Sequence, residues 1–284
     1  MEYPILKLCL DTSEDDIVKD LYTPCLCWAN RFDRGVGYFT SGWLSNNIVG
    51  LSDFASRGGK IRLLTSPILS EEDSDAIINA EIADHTIYQK FVDALISNVD
   101  DLQKEMAADI FNAFSWMIHD EIIDIKFIIP QNKLENGVFH TKFGIFYNGE
   151  DAVSFNGSIN DSAHGLQNFE DISVFATWKG TEDYVNASIK RFERIWNKND
   201  TNLKVYDIPS AIQDKIFSLR TKDRPYQLPK KEKNKWEHQD KAVDCFIKKE
   251  HGILAMATGT GKTVTAMKII NRKYIQVETQ SFVY

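Results

Sequence analysis

No run in this 284-residue sequence approaches the ~20 consecutive apolar residues that a membrane-spanning helix requires. The opening stretch, MEYPILKLCLDTSEDD, is acidic and lacks a basic start followed by an apolar core, so no secretory signal is expected. Cysteine is scarce. Cys9, Cys25, Cys27 and Cys245 form no CxxC pair, so a thiolate metal site has no ligand set and no metal-binding residues are expected. Reduced thiols in a cytoplasmic protein are the expectation instead. Internal repeats and low-complexity tracts are absent. Hydrophobic residues make up 43% of the chain and aromatics 12%, which supplies enough apolar surface for a core and excludes wholesale disorder. The length suffices for two compact domains.

The net charge of −8 conceals an asymmetry. Residues 1–219 carry 34 Asp and Glu against 19 Lys and Arg, whereas residues 220–284 carry 7 against 14. An acidic body and a basic tail point to two modules. Charge alone does not favour capture of free DNA by the acidic body.

Extended segments are expected at 5–10 (ILKLCL), 35–40 (GVGYFT), 60–65 (KIRLLT), 123–130 (IDIKFIIP), 140–148 (HTKFGIFYN), 152–158 (AVSFNGS) and 171–178 (DISVFATW), from their β-branched and aromatic content. Helices are expected from Asp15 toward Phe32, over the stretch ended by Gly58-Gly59, and at 182–198, where Val185, Ile189, Phe192 and Trp196 share a face. Residues 71–122 carry helical apolar spacing without Pro or Gly and read as two or three helices. From Glu71 to Asp124 there are 14 acidic residues against 2 lysines. Helix and strand alternate, the mark of an α/β fold.

His140 and Lys142 are two apart on a predicted strand, so both side chains fall on one face. Asn156-Gly157-Ser158-Ile159-Asn160 follows a second strand, and Glu170 enters a third. This HxK, GSxN and acidic series resembles the phospholipase D superfamily. Its nuclease branch fused to superfamily 2 helicases in bacterial restriction and anti-phage proteins is the nearest likeness. The likeness spans about the first 200 residues. It implies a mixed sheet flanked by helices, with 71–122 as a helical insertion. It also implies a site of His140, Lys142, Ser158, Asn160 and Glu170. There Lys142, Ser158 and Asn160 neutralise phosphate charge, His140 attacks phosphorus and Glu170 orients the ring. No cofactor is expected for cleavage. Two positions depart from the pattern. The customary aspartate five residues after the lysine is Tyr147, which implies altered structural support. None of His85, His119, His164, His238 and His251 has a lysine two residues on, so the second histidine must come from another copy of the chain. A homodimer with the active site on its two-fold axis follows.

Ala257 to Thr263, ATGTGKT, lies between a predicted strand and a helix, as in a phosphate-binding loop. Gly259, Gly261, Lys262 and Thr263 would hold the phosphates and Mg²⁺ of ATP, and Gln239 would read the adenine. The segment resembles the start of a superfamily 2 helicase, although Met256 replaces the customary small residue. No acidic DExx motif follows, so an incomplete RecA-like domain, part of a longer protein and without ATP turnover, is expected. ATP and Mg²⁺ belong to the complete motor only. The expected organisation is a nuclease domain over 1–205, a connector over 206–235 rich in Lys and Pro, and the motor start over 236–284.

These features lead to a metal-independent DNA endonuclease that cuts through a phosphohistidine. Its partners would be DNA and a second copy, with no membrane. A catalytically silent dimerisation or DNA-positioning module for the helicase is the first alternative, and a lipid phosphodiesterase the second. The four catalytic elements argue against the former and the helicase start against the latter. The acidic insertion is either a solvated face or a brake that repels DNA, with Glu71, Glu72 and Asp73 nearest the expected cleft.

Overall fold

The structure is a computed structural model that describes residues 2–38, 41–67, 85–134, 137, 139–158, 169–227, 239, 242–243, 245–247 and 261–281. The chain divides into two compact units, Met1–Pro229 and Lys230–Tyr284.

In the first unit, eight strands among the described residues form one mixed sheet. They are β1 (Cys9–Asp11), β2 (Arg31–Tyr38), β3 (Lys60–Ser66), β4 (Ile123–Pro130), β5 (Lys142–Asn148), β6 (Asp151–Gly157), β7 (Asp171–Ala176) and β8 (Leu203–Asp207). The spatial order is β1-β7-β6-β5-β2-β3-β4-β8. β2, β3 and β4 run parallel, and the other neighbours are antiparallel. The helices are α1 (Thr23–Trp28), entered through a π-helical turn, α2 (Ser41–Ser56), α3 (His85–Glu105), α4 (Ala108–His119), α5 (Glu182–Trp196) and α6 (Ser210–Ser218).

Both faces of the sheet are covered, which is why successive residues of the central strand β5 are buried whichever way they point. One core joins Phe32, Val36, Phe146, Phe155 and Ile172 with Leu51 and Phe54 of α2, Phe111 and Phe114 of α4 and Ile212 of α6. The opposite core sets Leu64, Phe143, Ile145 and Tyr147 against Val185, Phe192 and Trp196 of α5. Alternation along β5 divides its residues between the two cores. The α2 stop falls where the glycine pair places it: Gly58 takes φ +81°, and the Gly59 N–H donates to the Phe54 carbonyl at 2.9 Å.

Several boundaries depart from the sequence expectation. β4 has the expected limits, but β1 begins at Cys9 and not Ile5. β2 begins at Arg31, four residues before the expected start. Its first residues include the fully buried Asp33 and the nearly buried Arg34, whose charges disguise a central strand. Arg62 donates from Nε and Nη2 to the two oxygens of Asp33, at 2.8 and 2.6 Å, which makes that burial tolerable. The strand expected at 140–148 begins at Lys142, so His140 stands just before it. The break between α3 and α4 comes at Ala107, whose ψ of 142° leaves the helical region. The acidic residues Glu71, Glu72 and Asp73 lie outside the described residues.

The connector expected over 206–235 is largely part of the first unit. β8 pairs with β4, and Ile212, Ile216 and Tyr226 enter the core. The intervening segment is fastened to α4. Asn112 accepts from the Thr221 N–H at 2.8 Å, and Asp120 accepts from Arg224 and from the Tyr226 hydroxyl, each at 2.9 Å. Arg220 and Arg224 each lie 4.6 Å from the Trp116 ring centre. These are tertiary contacts that a polar, Pro-containing composition does not announce.

In the second unit the described residues include the helix α7 (Lys262–Ser281). Gly261 precedes it with φ +85°. The strand expected at 252–258 lies outside the described residues. No helix among them is long and apolar enough to cross a membrane.

Candidate functional site

At the end of the sheet where β5 begins and β6 finishes, an open cleft of about 490 Å³ is lined by His140, Thr141, Lys142, Asn156, Gly157, Ser158 and Arg191. β6 pairs with β5, so Gly157 and Ser158 arrive beside Lys142. Only glycine fits at 157: a Cβ there would lie 2.3 Å from the Asp171 carbonyl oxygen of β7. Ser158 is held by the same neighbour. Its N–H donates to the Asp171 carbonyl at 3.1 Å, and its hydroxyl accepts from the Asp171 N–H at 3.2 Å. The GS turn is thus fixed by the backbone of β7.

His140 is exposed and Lys142 is buried. The Lys142 Nζ lies 2.6 Å from the His140 Nε2. An ammonium has only donors, so Nε2 accepts, and the ring in this state carries its proton on Nδ1. The cleft therefore presents a neutral imidazole nitrogen directly beside a fixed cation. That is the arrangement a nucleophile for a phosphoryl centre needs, because the attacking lone pair and the charge that receives the anionic oxygens converge on one point.

Glu170 is buried just before β7. Its backbone is fastened to Thr12: the Glu170 N–H donates to the Thr12 hydroxyl at 2.9 Å, and its carbonyl accepts from the Thr12 N–H at 3.0 Å. It does not line the cleft, and no hydrogen bond among the described residues joins its carboxylate to His140. Asn160 lies outside the described residues. The structure thus brings together His140, Lys142 and Ser158 of the five expected catalytic residues.

Of the remaining cleft residues, Thr141, Asn156 and Gly157 belong to the two motifs, whereas Arg191 was not singled out by sequence. Arg191 stands on α5 with its guanidinium 4.0 Å from the Phe143 ring centre. Its Nη2 donates to the Asn156 Oδ1 at 2.8 Å, and its buried Nε has no hydrogen-bond partner among the described residues. Burial, followed by the nearby charge of Arg194, lowers its pKa from the usual guanidinium value. Asn156 directly precedes the GS turn and was readable as part of it. Arg191 has no local signal, because it reaches the cleft only once α5 packs on the sheet.

Tyr147, where the usual aspartate is missing, sits at the far end of β5 from Lys142. It is buried, its ring lies 3.7 Å below the Arg31 guanidinium, and its hydroxyl pKa is raised by burial and by nearby Asp33. Asp33 on the adjacent strand supplies the carboxylate of this neighbourhood. It pairs with Arg62, which also bonds Glu193 at 2.6 Å. The substitution changes packing remote from the cleft.

In the second unit, the helix opening at Lys262 places Gly261, Lys262 and Thr263 at its N-terminus, with Lys262 and Thr263 exposed. Such an end attracts phosphate. The Thr265 N–H and hydroxyl return to the Gly261 carbonyl at 2.9 and 3.1 Å and fix the turn. Gln239, in the same unit, is buried. Gly259 lies outside the described residues.

Residues 221–284 match the family described as "Type III restriction enzyme, res subunit". No curated protein is similar enough to be matched. Among solved structures, the chain is similar to the phospholipase D family member Nuc from Salmonella typhimurium. That likeness has 12% identity and a TM-score of 0.39, over 70% of this chain and 95% of the other. NucT from Helicobacter pylori is similar at 12% identity and a TM-score of 0.36, over 66% and 96%. Phosphatidylserine synthase from Haemophilus influenzae Rd KW20 is similar at 8% and 0.42, over 74% of this chain and 44% of that one. Likenesses this distant leave the functional argument to the residues of the cleft. The fold and cleft define a mixed α/β domain whose cleft sets a histidine beside a lysine, followed by a segment similar to the res subunit of type III restriction enzymes.

Proposed function

We propose that the first unit is a phosphodiesterase that cleaves DNA, the cutting head of a restriction or anti-phage protein whose motor begins in the second unit. The observation that carries this reading is the 2.6 Å contact between Lys142 and the neutral Nε2 of His140 at the mouth of an open cleft. Lys142 and Arg191 supply positive charge there, and no carboxylate lines the cleft among the described residues. A phosphodiester fits such surroundings.

Lys142 passes its hydrogen bond from the His140 Nε2 to a non-bridging oxygen, and the freed Nε2 lone pair attacks phosphorus, forming an N–P bond as the P–O bond to the leaving oxygen breaks. That oxygen takes the Nε2 proton of His140 of the partner subunit, which is brought across a two-fold axis and enters the step as an imidazolium. Water then attacks phosphorus and gives its proton to the same second histidine. The N–P bond breaks, and a phosphate monoester leaves. Lys142 and Ser158 receive the non-bridging oxygens, joined by Asn160. Glu170 would accept from Nδ1 and so orient the ring. The charge is carried by side chains, so the reaction proceeds without a metal. Lys262 and Thr263 would hold the phosphates and Mg²⁺ of ATP in the motor, with Gln239 toward the adenine.

Incubation with supercoiled plasmid tests the reading. Nicking by the wild-type chain and its loss in Lys142→Ala support it, and nicking that survives Lys142→Ala removes it. Light scattering tests the shared site, since a strictly monomeric active species contradicts it.

A further inference from the structure

We propose that Arg191 is a phosphate-binding residue of the cleft, with Phe143 and Asn156 as the mount that aims it. The assignment rests on the phosphodiester reading of the same cleft.

The construction of the mount supports it. Gly35 of β2 has no side chain, and a Cβ there would lie 2.3 Å from the Phe143 ring, so the ring rests directly on the sheet. The guanidinium lies against that ring, which restricts its motion and keeps its planar fork pre-organised. Asn156 bonds it through a neutral oxygen. That bond fixes the amide orientation, and the Asn156 NH₂ becomes an additional donor on the cleft side. A cation that serves packing alone is normally matched by a carboxylate, as Arg62 is by Asp33 and Glu193. Arg191 has a neutral partner, a partly buried position and a place in the lining of a cleft open to solvent. Among the described residues no carboxylate meets its charge, which is left for an anion that enters with the substrate. An arginine fork against a phosphate gives two directed hydrogen bonds, which a lysine cannot reproduce.

The test uses the full chain with three variants: Arg191→Gln, Arg191→Lys and Asn156→Asp. The probes are bis(p-nitrophenyl) phosphate for kinetics, and inorganic phosphate and a short DNA duplex for binding over a range of NaCl concentrations. Arg191→Gln should raise KM about ten-fold with a smaller change in kcat, and should make the slope of log K against log[NaCl] less negative by about 0.9, one phosphate contact. Arg191→Lys should restore the salt slope but only part of the affinity. Asn156→Asp keeps Arg191 in place and gives it an anion, so it should weaken phosphate binding at least as much as Arg191→Gln. It also decides the matter should Arg191→Gln fail to fold. Wild-type affinity and salt slope in Asn156→Asp and in folded Arg191→Gln overturn the proposal, as does a wild-type chain with no affinity for phosphate or DNA. A chain that binds phosphate through Arg191 but cleaves neither probe upholds the assignment and removes the phosphodiesterase reading. Cleavage with kinetics and binding indifferent to Arg191 does the reverse.

Discussion

Arg62 and Arg191 lie on the same face of the sheet, and each rests on aromatic rings. Arg62 is 4.8 Å from the Phe192 ring centre and 5.1 Å from that of Trp196, and Arg191 is 4.0 Å from that of Phe143. Their electrostatic settings differ. Burial alone would lower the Arg62 pKa, but hydrogen bonds to Asp33 and Glu193 outweigh it and the pKa rises. Arg191 has no carboxylate partner among the described residues, and burial leaves its pKa lowered. One arginine completes a closed ion cluster that ties β2, β3 and α5 together. The other carries its charge to the wall of a cleft. The same residue type on the same kind of platform serves stability where its charge is matched and is available to a ligand where it is not.

The comparison breaks most sharply at Asp33. Asp33→Asn removes the anion beneath Arg62 and should destabilise the fold by about 3–5 kcal/mol, the cost of leaving one partner of a buried pair. KM of the folded fraction should stay at the wild-type value. Chemical denaturation alongside kinetics checks both halves. A smaller stability loss with a raised KM would place Asp33 in the site and not in the frame.

Phe143→Leu acts on the other arginine. It removes the ring beneath Arg191, a contact of about 1 kcal/mol, and should raise KM several-fold while Arg62 and its partners stay intact. An unchanged KM would mean that Asn156 alone positions the guanidinium.

Glu193→Gln should have the smallest effect, under about 1 kcal/mol near neutrality, because Glu193 is partly solvated. The hydrogen bond from Arg62 holds its carboxyl below the ordinary carboxylate range, so its contribution is present above the unfolded-state pKa and lost as pH falls through the folded one. Unfolding midpoints measured from neutral to acid pH should therefore fall less steeply in Glu193→Gln than in the wild type. Parallel curves would remove Glu193 from the cluster's acid response.

Much of this frame was legible in the sequence, for reasons that also explain what was hidden. β4 and the helix α5 follow from a stretch rich in Ile and Phe and from 3.6-residue spacing, both local signals. The start of β2 was hidden because Arg31, Asp33 and Arg34 look like a solvated turn until Arg62 arrives from another strand. The stretch from Ser210 to Tyr226 looks like a linker because its anchors, Asn112, Trp116 and Asp120, lie a hundred residues away. In the cleft, His140, Lys142 and Ser158 were readable because HxK and GS are short-range patterns. The cleft location of Arg191 depends on the packing of α5 against β5 and β6, and no spacing within residues 182–198 encodes it.

The most direct test of the central claim is plasmid cleavage in the presence of EDTA, comparing the wild-type chain with His140→Ala. The account predicts that the wild type cuts equally well with and without the chelator, and that His140→Ala does not cut in either condition. Cleavage that stops in EDTA and returns on addition of Mg²⁺, or that persists in His140→Ala, would contradict it.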